Sequence, residues 1–262
     1  MRAQATKITC TVLIAFGALA IVISIIYDSP VLAFTGLGLL FWGITFAYIQ
    51  TNEYARKDLL DATALSAIQA LNQMARDVGC EGKAVYLPPK YMKDMSVQRV
   101  FVPRMKNGFI PKPEQIQDQG ENMFVQNPQG LLFLSPGAEL TGLFEKSLEI
   151  DFIRVDLAYL RKRLPRLFVE ELEIAKSLEI EVAEPVVHVR IENPLYRTQY
   201  NESRQQPDIN ATFGSCLTSA IASTLAKATG KPVTITKEEA SEDGKTITSE
   251  YAMLDEGGQV PS

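Results

Sequence analysis

The chain has 262 residues, 46% of them hydrophobic, with 26 basic and 31 acidic side chains and a formal charge of −5. This acidic balance, with a pI near 5.2, excludes nucleic acid as a main partner. One histidine and three separated cysteines, Cys10, Cys80 and Cys216, exclude a disulfide framework, paired metal ligands and most Ser-His-Asp arrangements, so neither a metal nor a cofactor is expected.

Residues 8 to 52 carry one formal charge, Asp28. Two uncharged apolar stretches, Ile8 to Tyr27 and Val31 to Ile49, are joined by the turn Asp28-Ser29-Pro30. Each approaches the roughly 20 residues that a helix needs to cross a bilayer. A backbone in hydrocarbon must satisfy its own hydrogen bonds, so the pattern predicts an N-terminal transmembrane helical hairpin over 1–51 with the lipid bilayer as partner. Arg2 and Lys7 precede it, Arg56 and Lys57 follow it, and its turn has no basic residue. That bias predicts a multi-pass protein of the cell membrane with both termini cytoplasmic. Tyr27, Tyr48 and Tyr54 suit the interfaces, and Trp42 is expected to pack against the first helix. A cleaved signal ending at Ala18-Leu19-Ala20 fits less well, because the apolar run continues through Ile26. Small residues four apart, Ala20 with Ser24 and Gly43 with Ala47, allow close packing within the hairpin. No ionisable residue lies within either stretch, which points to an anchor and away from a transport path.

Residues 52–80 read as a juxtamembrane helix continuing from the second span. Leu60, Ala64, Ala67, Leu71, Met74 and Val78 form a narrow apolar stripe, ended by Gly79 and Gly82. The stripe suits packing on its own domain better than pairing with a second copy, since it runs for fewer than four heptads. Residues 81–262 then read as a cytoplasmic mixed α+β domain. Strands are expected at Lys83 to Leu87 and Val97 to Val102, each stopped by proline, and Pro103 to Gln129 reads as a long, mobile loop able to serve as a lid or strap. Leu131 to Leu134 is a short strand, and Ser135-Pro136 resembles an N-cap followed by proline at the first helical position. Asp156 caps a further helix, Pro165 starts the next, and that helix places Phe168, Leu172, Ala175 and Leu178 on one face. Val187, Val189 and Ile191 alternate with His188, Arg190 and Glu192, a half-buried strand. A polar loop to Asp208 leads into a helix from Ser215 to Thr229 closed by Gly230. Val233 to Thr236 and Ile247 to Leu254 form a hairpin around Asp243-Gly244, and the last eight residues read as frayed.

Few residues carry chemistry. His188 lies on the polar face of its strand without an identifiable partner and reads as a solvated histidine. Cys216 follows Gly214-Ser215 at a helix N-terminus, where the macrodipole lowers a thiol pKa. It is the one candidate functional residue, although a lone cysteine without a base is more often a small packing residue. Arg161-Lys162-Arg163 and Arg166 form a basic cluster, opposed by Glu170, Glu171 and Glu173. No phosphate-binding glycine loop, dinucleotide fingerprint or metal carboxylate motif is present.

Asp28-Ser29-Pro30-Val31-Leu32-Ala33-Phe34-Thr35-Gly36-Leu37-Gly38, Phe41-Trp42-Gly43, Leu134-Ser135-Pro136-Gly137-Ala138-Glu139-Leu140, Ser219-Ala220-Ile221-Ala222 and Ala226-Lys227-Ala228-Thr229-Gly230-Lys231-Pro232-Val233 resemble an uncharacterised family of archaeal membrane proteins. This resemblance covers most of the chain and implies an archaeal origin but no function. Residues 186 to 254 are similar in plan to the small-molecule-binding 4-vinyl reductase domain: strand, loop, small-residue helix, closing hairpin. That domain carries cysteines in its last part, whereas none follows Cys216 here.

The sequence therefore leads to a membrane-anchored protein of unknown biochemical role, more a ligand-binding, sensory or interaction domain than an enzyme. A small-molecule ligand is expected near the 215 to 230 helix and its sheet. The alternatives are a membrane-bound enzyme using Cys216 and a structural subunit that assembles with copies of itself.

Overall fold

A computed structural model describes residues 2–50, 57–95, 97–118, 122–195 and 212–261. They form two compact units, Met1–Arg56 and Lys57–Ser262. The first holds two helices, α1 (Arg2–Tyr27) and α2 (Pro30–Gln50), reversed at Asp28, whose φ is +45°. The Ser24 hydroxyl donates to the Ser29 carbonyl at 2.8 Å and ties the turn to α1. Glycine brings the helices together. A Cβ on Gly17 would lie 2.8 Å from the Leu40 nitrogen, and one on Gly43 would lie 2.7 Å from Ile14 Cγ1. Small residues thus serve packing within the hairpin, with Gly17 and Gly36 added to those expected.

Among the described residues, no helix is long and apolar enough to cross a membrane. The expected transmembrane hairpin, and the multi-pass membrane location built on it, are corrected accordingly to a pair of packed apolar helices. Trp42 also differs from expectation. It is exposed and rests against Phe41 and Phe46 of its own helix, with ring centroids 6.0 and 5.5 Å away. The side chains of Cys10, Tyr48 and Tyr54, the junction at 51–56 and most of the polar loop ending at Asp208 lie outside the described residues.

The second unit is α+β. Its strands are β1 (Val85–Tyr86), β2 (Arg99–Pro103), β3 (Phe124–Gln126), β4 (Gln129–Leu134), β5 (Ser177–Ala183), β6 (Val186–Glu192), β7 (Val233–Ala240) and β8 (Thr246–Met253). They build one antiparallel sheet in the order β3-β4-β2-β1-β7-β8-β6-β5. Its helices are α3 (Lys57–Asp77), α4 (Pro113–Gln117), α5 (Ala138–Leu148), α6 (Leu157–Arg166) and α7 (Cys216–Thr229).

Strand alternation gives the sheet one apolar face along its length and a second over the β3-β4-β2-β1 half. Tyr86, Val102, Leu131, Val189 and Ile247 join Ala75, Phe144, Leu164 and Ile221 in the main core, under α3, α5, α6 and α7. Val85, Phe101, Val125 and Leu132 point the other way, into a smaller core with Tyr91, Ile110, Ile116 and Val260. This second core orders the segment that reads as a loop. Ile110 donates its N–H to the Gly258 carbonyl, and Val260 returns one to Gly108. The C-terminal residues are packed here, not frayed.

Other departures have local causes. The helix after Ser135-Pro136 begins at Ala138 with Gly137 as N-cap, because Ser135 turns inward to Ser223 Oγ at 2.8 Å. Pro165 lies inside α6, followed by a π-helical turn over Leu167–Glu171. The helix expected to carry Leu178 ends there, and Leu178, Ile180 and Val182 instead pair with Ile191, Val189 and Val187. Asp156 caps α6 as expected, accepting from the Tyr159 N–H at 2.8 Å. Small side chains let α7 be buried from Leu217 to Lys227 on every side.

Candidate functional site

Cys216 begins α7, behind the N-cap Ser215. The Ser215 hydroxyl accepts the Thr218 N–H, and the Ser215 N–H donates to Thr218 Oγ1 at 2.9 Å, a reciprocal cap. Glu238 reaches the same helix end from β7. Its Oε2 accepts from the Thr218 hydroxyl at 2.8 Å and from the Ser215 N–H at 3.2 Å. A bulge in β7 between Ile235 and Lys237 puts it there, by placing Glu238 opposite Ser249 on the face that already carries Ile235 opposite Tyr251. Gly214, with φ +69°, leaves the room: a Cβ there would lie 2.8 Å from Glu238 Oε2.

Glu238 as a residue is only partly covered, but its Oε1 is shut off from solvent and no donor among the described residues reaches it. Burial raises its pKa, against the hydrogen bonds from Thr218 and Ser215. Burial also pushes up the phenols of Tyr86 and Tyr251, and the Glu238 charge adds to both shifts. The Tyr86 hydroxyl donates to the Phe213 carbonyl. At Cys216, burial pushes the thiol up to about 11, the reverse of what a helix N-terminus alone predicts. A thiol held there stays protonated at neutral pH.

A second location offers open space. A cleft of about 410 Å³ is lined by Val78, Cys80, Arg104, Phe124, Gln126 and Gln129, with Val125 and Gly130. Arg104 follows β2, and its backbone N–H donates to the Gln129 carbonyl at 3.0 Å. The Arg104 guanidinium makes one long hydrogen bond, 3.3 Å to Gln129 Oε1, and among the described residues no carboxylate pairs with it. Cys80 is buried beside it. Burial raises the thiol pKa, while the neighbouring Arg104 charge draws it down.

The family described as a domain of unknown function (DUF7982) matches residues 1–251. The chain belongs to this family. The match runs through both units and takes in Arg104, Cys216 and Glu238. No curated protein and no solved structure matches the chain.

The remaining residues singled out in the sequence lie apart from both places. His188 sits on the exposed face of β6, 3.6 Å from Glu250. Arg166 pairs with Glu170 one turn on at 3.2 Å, and Arg161 and Lys162 are exposed. Among the described residues, no group of three or more His, Cys, Asp or Glu side chains stands ready for a metal ion. Sequence reasoning missed Glu238 and Arg104. The Glu238 position depends on a bulge that leaves no composition signal. Arg104 lies in a proline-rich stretch and meets Gln129, 25 positions away, beyond the reach of local pattern.

Proposed function

We propose that residues 57–262 are a binding domain that holds a small organic anion in the cleft beside Arg104. The observation that carries this reading is a guanidinium lining open space with no carboxylate partner among the described residues. Arginine has five donors in a planar fork suited to a carboxylate, and among the described residues one donor is engaged, at long range. The cleft is of the size that small molecules occupy. The amides of Gln126 and Gln129 add donors and acceptors, and Phe124 and Val78 supply apolar wall.

Binding is favoured over nucleophilic catalysis by the state of the thiols. The thiolate is the nucleophile, and burial holds both Cys80 and Cys216 above the usual thiol range.

Thermal unfolding of the full chain with acetate, hexanoate and trans-cinnamate tests the reading. A ligand at about 100 times its Kd adds roughly 2.7 kcal/mol, a readable rise in Tm. At least one carboxylate is expected to raise Tm, and Arg104→Ala to abolish the rise. No rise with any of the three, or a rise that survives Arg104→Ala, would sink the proposal.

A further inference from the structure

The walls of the Arg104 cleft are arranged in rows, and the spacing of the rows narrows what the cleft can hold. Arg104, Gln129 and Gln126 lie side by side across β2, β4 and β3. Arg104 bonds to Gln129 through the backbone, and Gln129 is the register partner of Gln126. They form a polar row on one face of the sheet. One two-residue step along the strands comes an apolar row on that same face: Val102, Leu131 and Phe124, again register partners. Val102 and Leu131 belong to the main core, whereas Phe124, on the edge strand, is 63% exposed. Val78, past the end of α3, lines the cleft as well and is 39% exposed. An aromatic ring is thus left bare beside a cation that has no carboxylate partner among the described residues.

Resting on the binding reading above, we infer that the ligand is a carboxylate carried on a flat aromatic or conjugated body. The carboxylate sits on Arg104 and the glutamine amides, and the body lies over Phe124 against Val78. Three arguments select this class. The cleft presents one cation, which balances a monoanion, whereas a phosphate group brings between one and a half and two charges at neutral pH. The guanidinium fork matches two coplanar oxygens. The polar and apolar rows are about 7 Å apart, one two-residue step, so head and body must be separated by a short spacer. A ring on Phe124 then gains the offset or edge-to-face contact that aromatic pairs prefer and a saturated ring cannot make.

Isothermal titration of the full chain with trans-cinnamate, 3-cyclohexylpropionate and inorganic phosphate tests this. Cinnamate is expected to bind, and the cyclohexyl analogue to bind about fivefold more weakly. Phosphate is expected neither to bind nor to displace cinnamate. Phe124→Ala should weaken cinnamate about fivefold more than it weakens the cyclohexyl analogue, which loses only apolar contact. Arg104→Lys should weaken both carboxylates roughly tenfold, because it keeps the charge and loses the fork. Both substitutions fall on exposed side chains, and a matching unfolding midpoint verifies that each variant folds. Equal affinity for the two carboxylates, or displacement by phosphate, overturns the aromatic class and leaves anion binding standing. Binding of none of the three, or binding indifferent to Arg104→Ala, overturns both.

Discussion

At the scale of single residues, Glu238 is a carboxyl whose ionisation the fold opposes. Its Oε2 is held at the start of α7, its Oε1 meets no donor among the described residues, and burial raises its pKa above the ordinary 4.5. The sign follows from linkage. An acid whose pKa is higher folded than unfolded binds more protons in the native state between the two values. Its contribution to stability is fully present below pH 4.5 and is lost as pH rises through the folded value. The urea midpoint of the wild type is therefore expected to fall, relative to Glu238→Gln, as pH rises through that window. Parallel curves for the two proteins would show that the carboxyl titrates normally. The start of the helix at Ser215 was legible in the sequence. The acid that completes it was not, because a bulge in a strand more than 20 residues later decides where it points.

At the scale of elements, the crossing of α5 and α7 shows why short residues recur in both. A Cβ on Gly137 would lie 2.1 Å from the Ala220 nitrogen. Ser219 Oγ accepts the Gly137 N–H at 3.0 Å, and the Thr141 hydroxyl donates to the Ala220 carbonyl at 3.2 Å. Backbone meets backbone here, so no side chain can yield. Gly137→Ala is expected to push the helices apart and destabilise the unit by about 1–3 kcal/mol, the usual range for overpacking. Chemical denaturation measures it, and an unchanged midpoint would mean that the crossing is looser than the structure shows. The helix, its cap and its closing glycine were readable from the 3.6-residue period and end signals. The strand Ser177–Ala183 was readable too, since Leu178, Ile180 and Val182 alternate with Glu179 and Glu181. An apolar three- and four-residue spacing running in from Phe168 masked it.

At the scale of the whole molecule, the β3-β4-β2-β1 half of the sheet is covered on both faces, and the other half on one. The main core lies under the helices, and the smaller one is closed by the Pro89–Tyr91 turn, α4 and the residues around Val260. Lys90 pairs with Glu256, which helps hold that closing segment. Removing residues 255–262 is expected to uncover Ile110 and Ile116 and to forfeit at least the burial of Val260, about 1.5–3 kcal/mol. A lowered urea midpoint and new proteolytic cleavage between Met105 and Asp118 would register the loss. Wild-type resistance after truncation would show that the segment contributes nothing. The apolar hairpin is a separate matter. Its glycines bring two helices into contact, and its outward side chains, Phe16, Ile25, Phe34 and Phe41 among them, stay exposed.

The sequence by itself determined what depends on neighbours along the chain. Apolar period, capping residues, proline stops and turn glycines located most helices and strands, the closing hairpin and the α+β class, because those signals act within a few residues of backbone. It also marked the N-terminal apolar run, in which, among the described residues, no helix is long and apolar enough to cross a membrane. Only the tertiary structure decided which side chains meet. The order of eight strands brings Arg104 beside Gln129 and Cys80, and a bulge brings Glu238 to Ser215, pairings set by register between distant segments. It also turned a proline-rich stretch into the cover of a second core. Burial reversed the expected shift at Cys216, since the cost of removing a charge from water there outweighs the pull of a helix end.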